Sequence, residues 1–568
     1  MKTPDFQEFS SMEWESIEPL YQQLLDFELS EQSKEAWMED WSDLSKLVDE
    51  RYARLSLETA LNTADEEAEK KYHSFLEEIY PSILAADQEL KEKILDSGLV
   101  PDGMELALKK MRTEADLFCE ENLPLMTKES KHVTEYNKIF GAQTIQWQGE
   151  ELTIDQVKSA LLTDDREERK ALWELMATSQ LEDRDAVNDL WKKFMALRKE
   201  MAANAGYSDY RSYSWQKNLR LDYTPAESRQ FIEAVKEVAV PAATRVYESY
   251  RSRLGIDKVR PWDLLNNQTT FSLPAIKAFD SEEEFISKTG KIFNQLDPAL
   301  GGYFQAMCDK SLLDLMNRKN KRPGAFCTSF DTECVPFVFM NATGQGKDLR
   351  VLFHESGHAF HVFESAELKY HHQWWSGMEF AEVASTAMEL LAESYLSEDK
   401  GGFMSPQDAA ITRLLSIEGH LLFWPYMAVV VAFQHWVYEN HDEASNPDAC
   451  DKKWAELIDQ YMPGINWDGY EDVKMSGWHR KLHIHLAPFY YIEYGLASLG
   501  AFQIWQNAQK DQEKALNSYR QALKLGGTKT ITDLFKEAGA KLSFDKETLG
   551  SIVEMIETHL SELEGQLS

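Results

Sequence analysis

From Glu13 to about Ser97 apolar residues recur at three and four spacing, as in Ile17, Leu20, Tyr21, Leu24 and Leu25, against a background of Glu, Lys and Ala. That period predicts long amphipathic helices. Gly98-Leu-Val-Pro-Asp-Gly103 interrupts the pattern and Met104 to Cys119 resumes it, so the first 120 residues read as a helical arm. Around Thr144 to Thr153 the period changes to alternation about a Gly turn, which predicts a short β-hairpin, and Thr153 and Gln156 are spaced to cap the next helix. Arg166 to Ala205 reads as one long helix, and Thr224-Pro225 opens another that runs past Val240.

Between Arg322 and Gly346 the style changes again. Gly324-Ala-Phe-Cys-Thr-Ser-Phe330 and Val335-Pro-Phe-Val-Phe-Met340 predict two short strands with a polar turn between them. The strand Val335 to Met340 is the edge on which an extended peptide is expected to pair. After this β-ribbon come a helix from Asp348 to about Glu367, a Trp/His-rich loop, and a helix from Phe380 to Leu396. Ala409 to Asn440 is so apolar that it reads as buried core, and the last third is again helical. The fold class expected is mostly α, with a small β-ribbon next to one helix. No repeat or low-complexity linker marks a boundary, and one is placed near residue 195, separating an N-terminal helical arm or lid (1–195) from a catalytic helical domain (196–568).

Composition narrows the function classes. At 568 residues, 43% hydrophobic and 12% aromatic, the chain can build two large cores or lobes. Its net charge of -36, from 60 basic and 96 acidic residues, argues against nucleic acid or anionic membrane as partner, since both require a positive surface. The N-terminus lacks a basic then apolar leader, and no run of about 18 apolar residues is recognised, so a soluble cytoplasmic protein is expected. Five scattered cysteines without CxxC spacing read as free thiols of a reducing compartment. Asn267-Gln-Thr and Asn341-Ala-Thr match the glycosylation pattern, which carries no weight without a secretion signal.

The chemistry concentrates in Val351 to Phe363, which contains His354-Glu355-Ser356-Gly357-His358. On a helix, residues four apart share a face, so His354 and His358 can bind one metal ion while Glu355 stands beside them as general base. Zinc suits imidazole nitrogen and carboxylate oxygen, and three protein ligands leave one position for a water whose pKa falls toward neutrality. With 14 His, an HExxH arises by chance on the order of a few per cent of the time. The apolar residues around this one place it on a buried helix, where two His and a Glu need a reason to be.

A third ligand is required, and His361, Glu364, Glu367, His371, His372, Glu379, Glu382 and Glu389 are the candidates downstream. His361 and Glu364 do not fit the extended HExxHxxGxxH pattern. Glu382 and Glu389 lie two helical turns apart with small Ala384, Ser385 and Ala387 between them, which lets helices approach closely. Glu382 can then ligate zinc while Glu389 accepts a hydrogen bond from a ligating His. Far downstream, Pro488 is placed to open a helix on which Tyr490, Tyr491 and Tyr494 are neighbours, close in sequence to His485. Tyr and His are suitable donors to the oxyanion formed in peptide hydrolysis.

HESGH, then EVAS with a second Glu seven beyond its first, then HLAPFYYIEYG, in this order, resembles the M3 family of zinc metallopeptidases, in its oligoendopeptidase F and Pz-peptidase branch. AANAGYSDYRSY, PWDL and PFVFMN extend the likeness over roughly residues 130 to 520. The resemblance implies a two-lobed helical fold with a deep channel, one zinc ion, and cleavage of short peptides at internal bonds. It implies His354, His358 and Glu382 as ligands, Glu355 as general base, and His485 with Tyr494 as the polarising pair. Other branches carry a further Tyr three positions beyond Tyr494, where this chain has Ala497, which leaves the roles of Tyr490 and Tyr491 open.

The leading expectation is a cytoplasmic zinc oligoendopeptidase acting on oligopeptides as a monomer or homodimer. The alternatives are an all-helical zinc carboxypeptidase and a non-catalytic peptide-binding protein. A binder has no use for the Glu355 base.

Overall fold

A computed structural model describes residues 3–264 and 276–567. Asn267 falls outside the described residues. Helices dominate, and the strands are few: a hairpin of β1 (Thr144–Trp147) and β2 (Glu150–Thr153), and a three-stranded sheet of β3 (Leu313–Met316), β4 (Phe326–Phe330) and β5 (Val335–Ala342). The hairpin leads into a helix through a complete capping box between Thr153 and Gln156.

The chain divides into two compact units, each built from three segments: Met1–Ala115, Lys277–Ala409 and Ala497–Leu542 in one, Asp116–Ile276, Ala410–Leu496 and Ser543–Ser568 in the other. The boundary expected at residue 195 falls inside the helix Arg184–Asn204. The helical arm shares the first unit with the HExxH helix. Its core of Trp37, Trp41, Leu44, Phe75, Ile83 and Leu90 also takes in Tyr370, which follows that helix. Specific bonds tie the two together: Glu50 accepts from the Thr332 N–H at 2.8 Å, and Ser42 accepts from the His371 N–H at 2.7 Å. Periodicity reports that a helix has an apolar face; it does not report which distant segment covers it.

In the sheet of the first unit the order is β3-β5-β4, with β3 parallel and β4 antiparallel to β5. Both edges of β5 are therefore taken, and the edge on which a peptide was expected to pair is not Val335 to Met340 but belongs to β4. The missed strand β3 explains the difference, because with two strands alone β5 would have been an edge.

The second unit is organised around aromatic side chains. Trp173 packs with Trp262 and Val473, and Tyr136, Leu190 and Phe194 form another group. Arg198 is fully buried there and donates to Tyr438 Oη at 2.9 Å and to Glu129 at 3.1 Å. The expected single helix from Arg166 to Ala205 is two, Arg166–Glu182 and Arg184–Asn204, parted at Asp183.

The helix Pro406–Glu439 contains a window apolar and long enough to cross a membrane, contrary to the reading that no such run exists. Of that window 72% is buried, as befits a core helix apolar on every side. All five cysteines are free thiols.

Candidate metal centre

The HExxH helix spans Gly346–Ser365 and starts directly after β5. Asp348 secures its first turn by accepting from the N–H groups of Thr343 at 2.7 Å and Gln345 at 2.9 Å. Leu352, Phe353, Ala359 and Phe360 are fully buried, with Phe293 edge-on to Phe360 at 5.0 Å. Beside it lies the helix Met378–Ala392, buried along its whole length from Glu379. The two approach at Gly357, where a Cβ would stand 2.6 Å from the Ala384 carbonyl oxygen and 2.6 Å from Ser385 Cα. No side chain fits, so the glycine within HESGH and the small residues after Glu382 together set the helix separation.

That separation brings His354, His358 and Glu382 together, with one ligand atom of each within 4.8 Å of the others. The two imidazoles stand 5.0 Å apart at 83°, and His354 Nε2 lies 3.6 Å from Glu382 Oε2. Tetrahedral zinc with bonds of about 2.1 Å keeps its ligand atoms about 3.4 Å apart, so the group fits such an ion. His354 Nδ1 meets Glu389 Oε1 at 2.6 Å, and the Ser385 hydroxyl donates to Glu382 Oε2 at 3.2 Å. Among the other third-ligand candidates, Glu364 bonds Arg520 Nε at 2.6 Å and His371 bonds Asp331 at 2.9 Å.

The electrostatics call for a cation. Glu355, Glu382 and Glu389 are all buried within one site, and half-exposed Arg350 approaches Glu389 at 3.5 Å. Burial pushes the Glu355 carboxyl up to about 7, with His354 opposing, and raises Glu382 for the same reason. Burial works against charge on His354, but Glu389, Glu382 and Glu355 outweigh it and lift the ring to about 9. His358 is depressed to about 3, by burial first and then by His354. A divalent ion on the two imidazoles and Glu382 would neutralise this excess of negative charge.

The metal group opens into a pocket of about 690 Å³ in the first unit. Its lining includes Ala325 to Ser329 along β4, His354, Glu355, His358, Trp374 and Glu382. Cys327 of β4 lies beside Glu355 in this lining, which places the base against the edge strand.

The sequence model of peptidase family M3 matches residues 160–554. The chain belongs to peptidase family M3. An oligoendopeptidase F homologue of Borreliella burgdorferi is 21% identical over 99% of this chain and 94% of its own length. Oligopeptidase PepF of Bacillus subtilis is 22% identical over 63% of this chain and 52% of its own. Among solved structures, Pz peptidase A in complex with an inhibitor matches 98% of this chain and 99% of its own, with a TM-score of 0.85 and 26% identity. Family membership makes this protein a metalloendopeptidase.

Of the expected site residues of this M3 peptidase, the tyrosines and His485 lie in the second unit. Tyr490, Tyr491 and Tyr494 do form a cluster, with Tyr494 5.4 Å from Tyr490 and 5.7 Å from Tyr491. Pro488 does not open a helix, however. The helix begins at Ile492, and Phe489 holds a left-handed backbone at φ 67°. The histidine that joins the tyrosines is His483, 4.8 Å from Tyr491 and 6.0 Å from Tyr494 between ring centres. His485, expected as the partner of Tyr494, is fully buried among Trp478, Trp191 and Tyr136. Both histidines sit on the short helix Leu482–Leu486, where residues two apart point to nearly opposite sides, so only one can face the tyrosines. That geometric constraint was present in the HIH triplet, but it does not say which of the two turns inward.

Proposed function

We propose that this protein is a zinc-dependent oligoendopeptidase that hydrolyses internal bonds of short, unstructured peptides. The observation that carries the reading is the convergence of His354, His358 and Glu382, with His354 held from behind by Glu389. These three residues would hold the ion. Zinc, when bound, supplies a Lewis acid for the scissile carbonyl and a water acidified toward neutrality.

Glu355 is the general base. It takes a proton from the attacking water and passes it to the leaving amine, and burial that lifts its carboxyl toward neutrality suits both transfers. Glu389 accepts the Nδ1 proton of His354 and so keeps the Nε2 lone pair free for the metal. The free edge of β4 receives the peptide backbone as an added strand and positions it over Glu355. The family resemblance supports Tyr494 as a donor to the developing oxyanion, and within the second unit its neighbours are Tyr490, Tyr491 and His483. Five free thiols support the cytoplasm as the working compartment.

The test is mass spectrometry of products from a mixed peptide pool, with chelator and after zinc is restored. Internal cuts in peptides of about 5 to 20 residues, lost with chelator, are expected, with reduced casein nearly untouched. Release of single C-terminal residues would instead indicate a carboxypeptidase, and binding without any cleavage a peptide-binding protein.

A further inference from the structure

The pocket holds another group of side chains, which the metal chemistry does not use. Asp331 directly follows β4, and its Oδ2 lies 2.9 Å from His371 Nε2. Asp49, on the arm helix Lys34–Leu61, places its Oδ2 3.8 Å from the same nitrogen. All three line the same pocket as His354 and Glu355. Asp331 is only 6% exposed, and among the described residues no hydrogen-bond partner meets its Oδ1. A buried carboxylate oxygen without a donor is costly, and the residue that carries it is one of those lining this substrate-sized pocket.

The neighbouring charges are already engaged. Asp87 accepts from Trp41 Nε1 at 2.8 Å and pairs with Lys91 at 3.4 Å, while Glu50 pairs with Arg54 at 2.7 Å and accepts from Thr332. Lys46 lies over the Trp374 ring. Desolvation within the pocket wall pushes the Asp49 carboxyl up to about 6, with His371 and Lys91 opposing and Asp331 and Asp87 adding. The group is short of positive charge and of hydrogen-bond donors.

Strand β4 connects this group to the base. Cys327, which lies beside Glu355 in the pocket, marks the point on the edge nearest the chemistry, and Asp331 stands four positions further along the chain. That is about 13 Å of extended strand, or some four residues of a paired peptide. A peptide antiparallel to β4 brings its N-terminal end to Asp331. A parallel one would bring its C-terminal carboxylate there, against two carboxylates, so charge selects the antiparallel direction.

We propose that Asp49, Asp331 and His371 form an ammonium subsite that takes the free N-terminus of an oligopeptide, or a lysine side chain at the same position. It sets the direction of the peptide on β4 and a distance of about four residues from N-terminus to cut bond. The proposal rests on the peptidase reading above.

The experiment uses the zinc-loaded enzyme and one peptide sequence in three forms: free N-terminus, N-acetylated, and N-acetylated with lysine four residues before the cut. The expected kcat/KM for the free form exceeds the acetylated form on the order of tenfold, as a charge-assisted contact gives, and lysine recovers part of the loss. In Asp331→Asn the ratio of free to acetylated falls toward one. Asp49→Asn, at a side chain 53% exposed and safe for folding, should reduce the same ratio. Equal rates on free and acetylated peptides in the wild type, or a preference that survives in both variants, would overturn the subsite and leave the peptidase standing. Two metal ions per chain falling to one in Asp331→Asn would overturn it in favour of a cation site. Cleavage of no form would overturn the peptidase reading itself.

Discussion

His354 is held at both ring nitrogens by carboxylates of one helix: Nδ1 lies 2.6 Å from Glu389 Oε1 and Nε2 3.6 Å from Glu382 Oε2. The seven-residue spacing of those glutamates matches two helical turns, so both reach the same ring from one face. On the zinc reading, Glu389 would act on the ion through His354. Glu389→Ala should weaken zinc binding about 10- to 100-fold, read by chelator competition, with folding retained. Unchanged zinc affinity would remove Glu389 from this role.

Glu355→Gln keeps the shape of the side chain and removes the base. Zinc should remain bound while kcat falls by about 10² to 10⁴, with KM little changed. Metal content by elemental analysis and turnover on one peptide check the two halves separately. Near-normal turnover would end the general-base assignment.

His358→Ala and Glu382→Ala should each lose the metal along with activity, since each removes a ligand from a group of three. Full zinc occupancy in Glu382→Ala would shift the third ligand to another carboxylate.

The grouping of His354, His358 and Glu382 was legible because these residues sit on two continuous helices, where spacing decides which residues share a face. Glu382 and Glu389 needed only the period of 3.6, and Gly357 opposite Ala384 and Ser385 needed only their small size. What sequence did not disclose depends on long-range packing. The edge position of β4 follows from β3 pairing with β5, and the acidic group at Asp331 is completed by Asp49 from the arm nearly 300 positions earlier. Local patterning holds no record of such partners. Nor does it resolve HIH, since two histidines on a five-residue helix differ only in what surrounds them.

Gly357→Ala tests the helix contact. The added methyl would meet the backbone of Ala384 and Ser385 at 2.6 Å, and backbone cannot turn aside as a side chain can. A loss of roughly 1–3 kcal/mol in stability is expected, together with reduced zinc affinity as Glu382 is displaced from the imidazoles. Gly419→Ala, in the helix Pro406–Glu439 with nothing within 4 Å of the new Cβ, is the control and should be neutral or slightly stabilising. Thermal melts with and without zinc separate the two effects.

The two histidines of the short helix Leu482–Leu486 should fail in different ways. His485 is fully buried against Trp478, Trp191 and Tyr136, and its carbonyl accepts from Arg198. Removing its ring leaves a cavity in an aromatic core, so His485→Ala should cost about 2–4 kcal/mol of stability and lower the melting temperature. His483 is less buried and stands beside Tyr490, Tyr491 and Tyr494, with burial and Lys481 holding its ring neutral at about 4. As a neutral ring it can donate one N–H to a developing negative charge without carrying a full charge itself. On the proposal that Tyr494 and its neighbour His483 serve as oxyanion donors, His483→Ala and Tyr494→Phe should each lower kcat by roughly 10² to 10³ with the melting temperature nearly unchanged. The readout is the split between kcat and melting temperature across the three variants. If His485→Ala lost turnover while melting normally, and His483→Ala did not, His485 would be the partner of Tyr494, as the family resemblance implies, and the ring contacts of His483 would be packing alone.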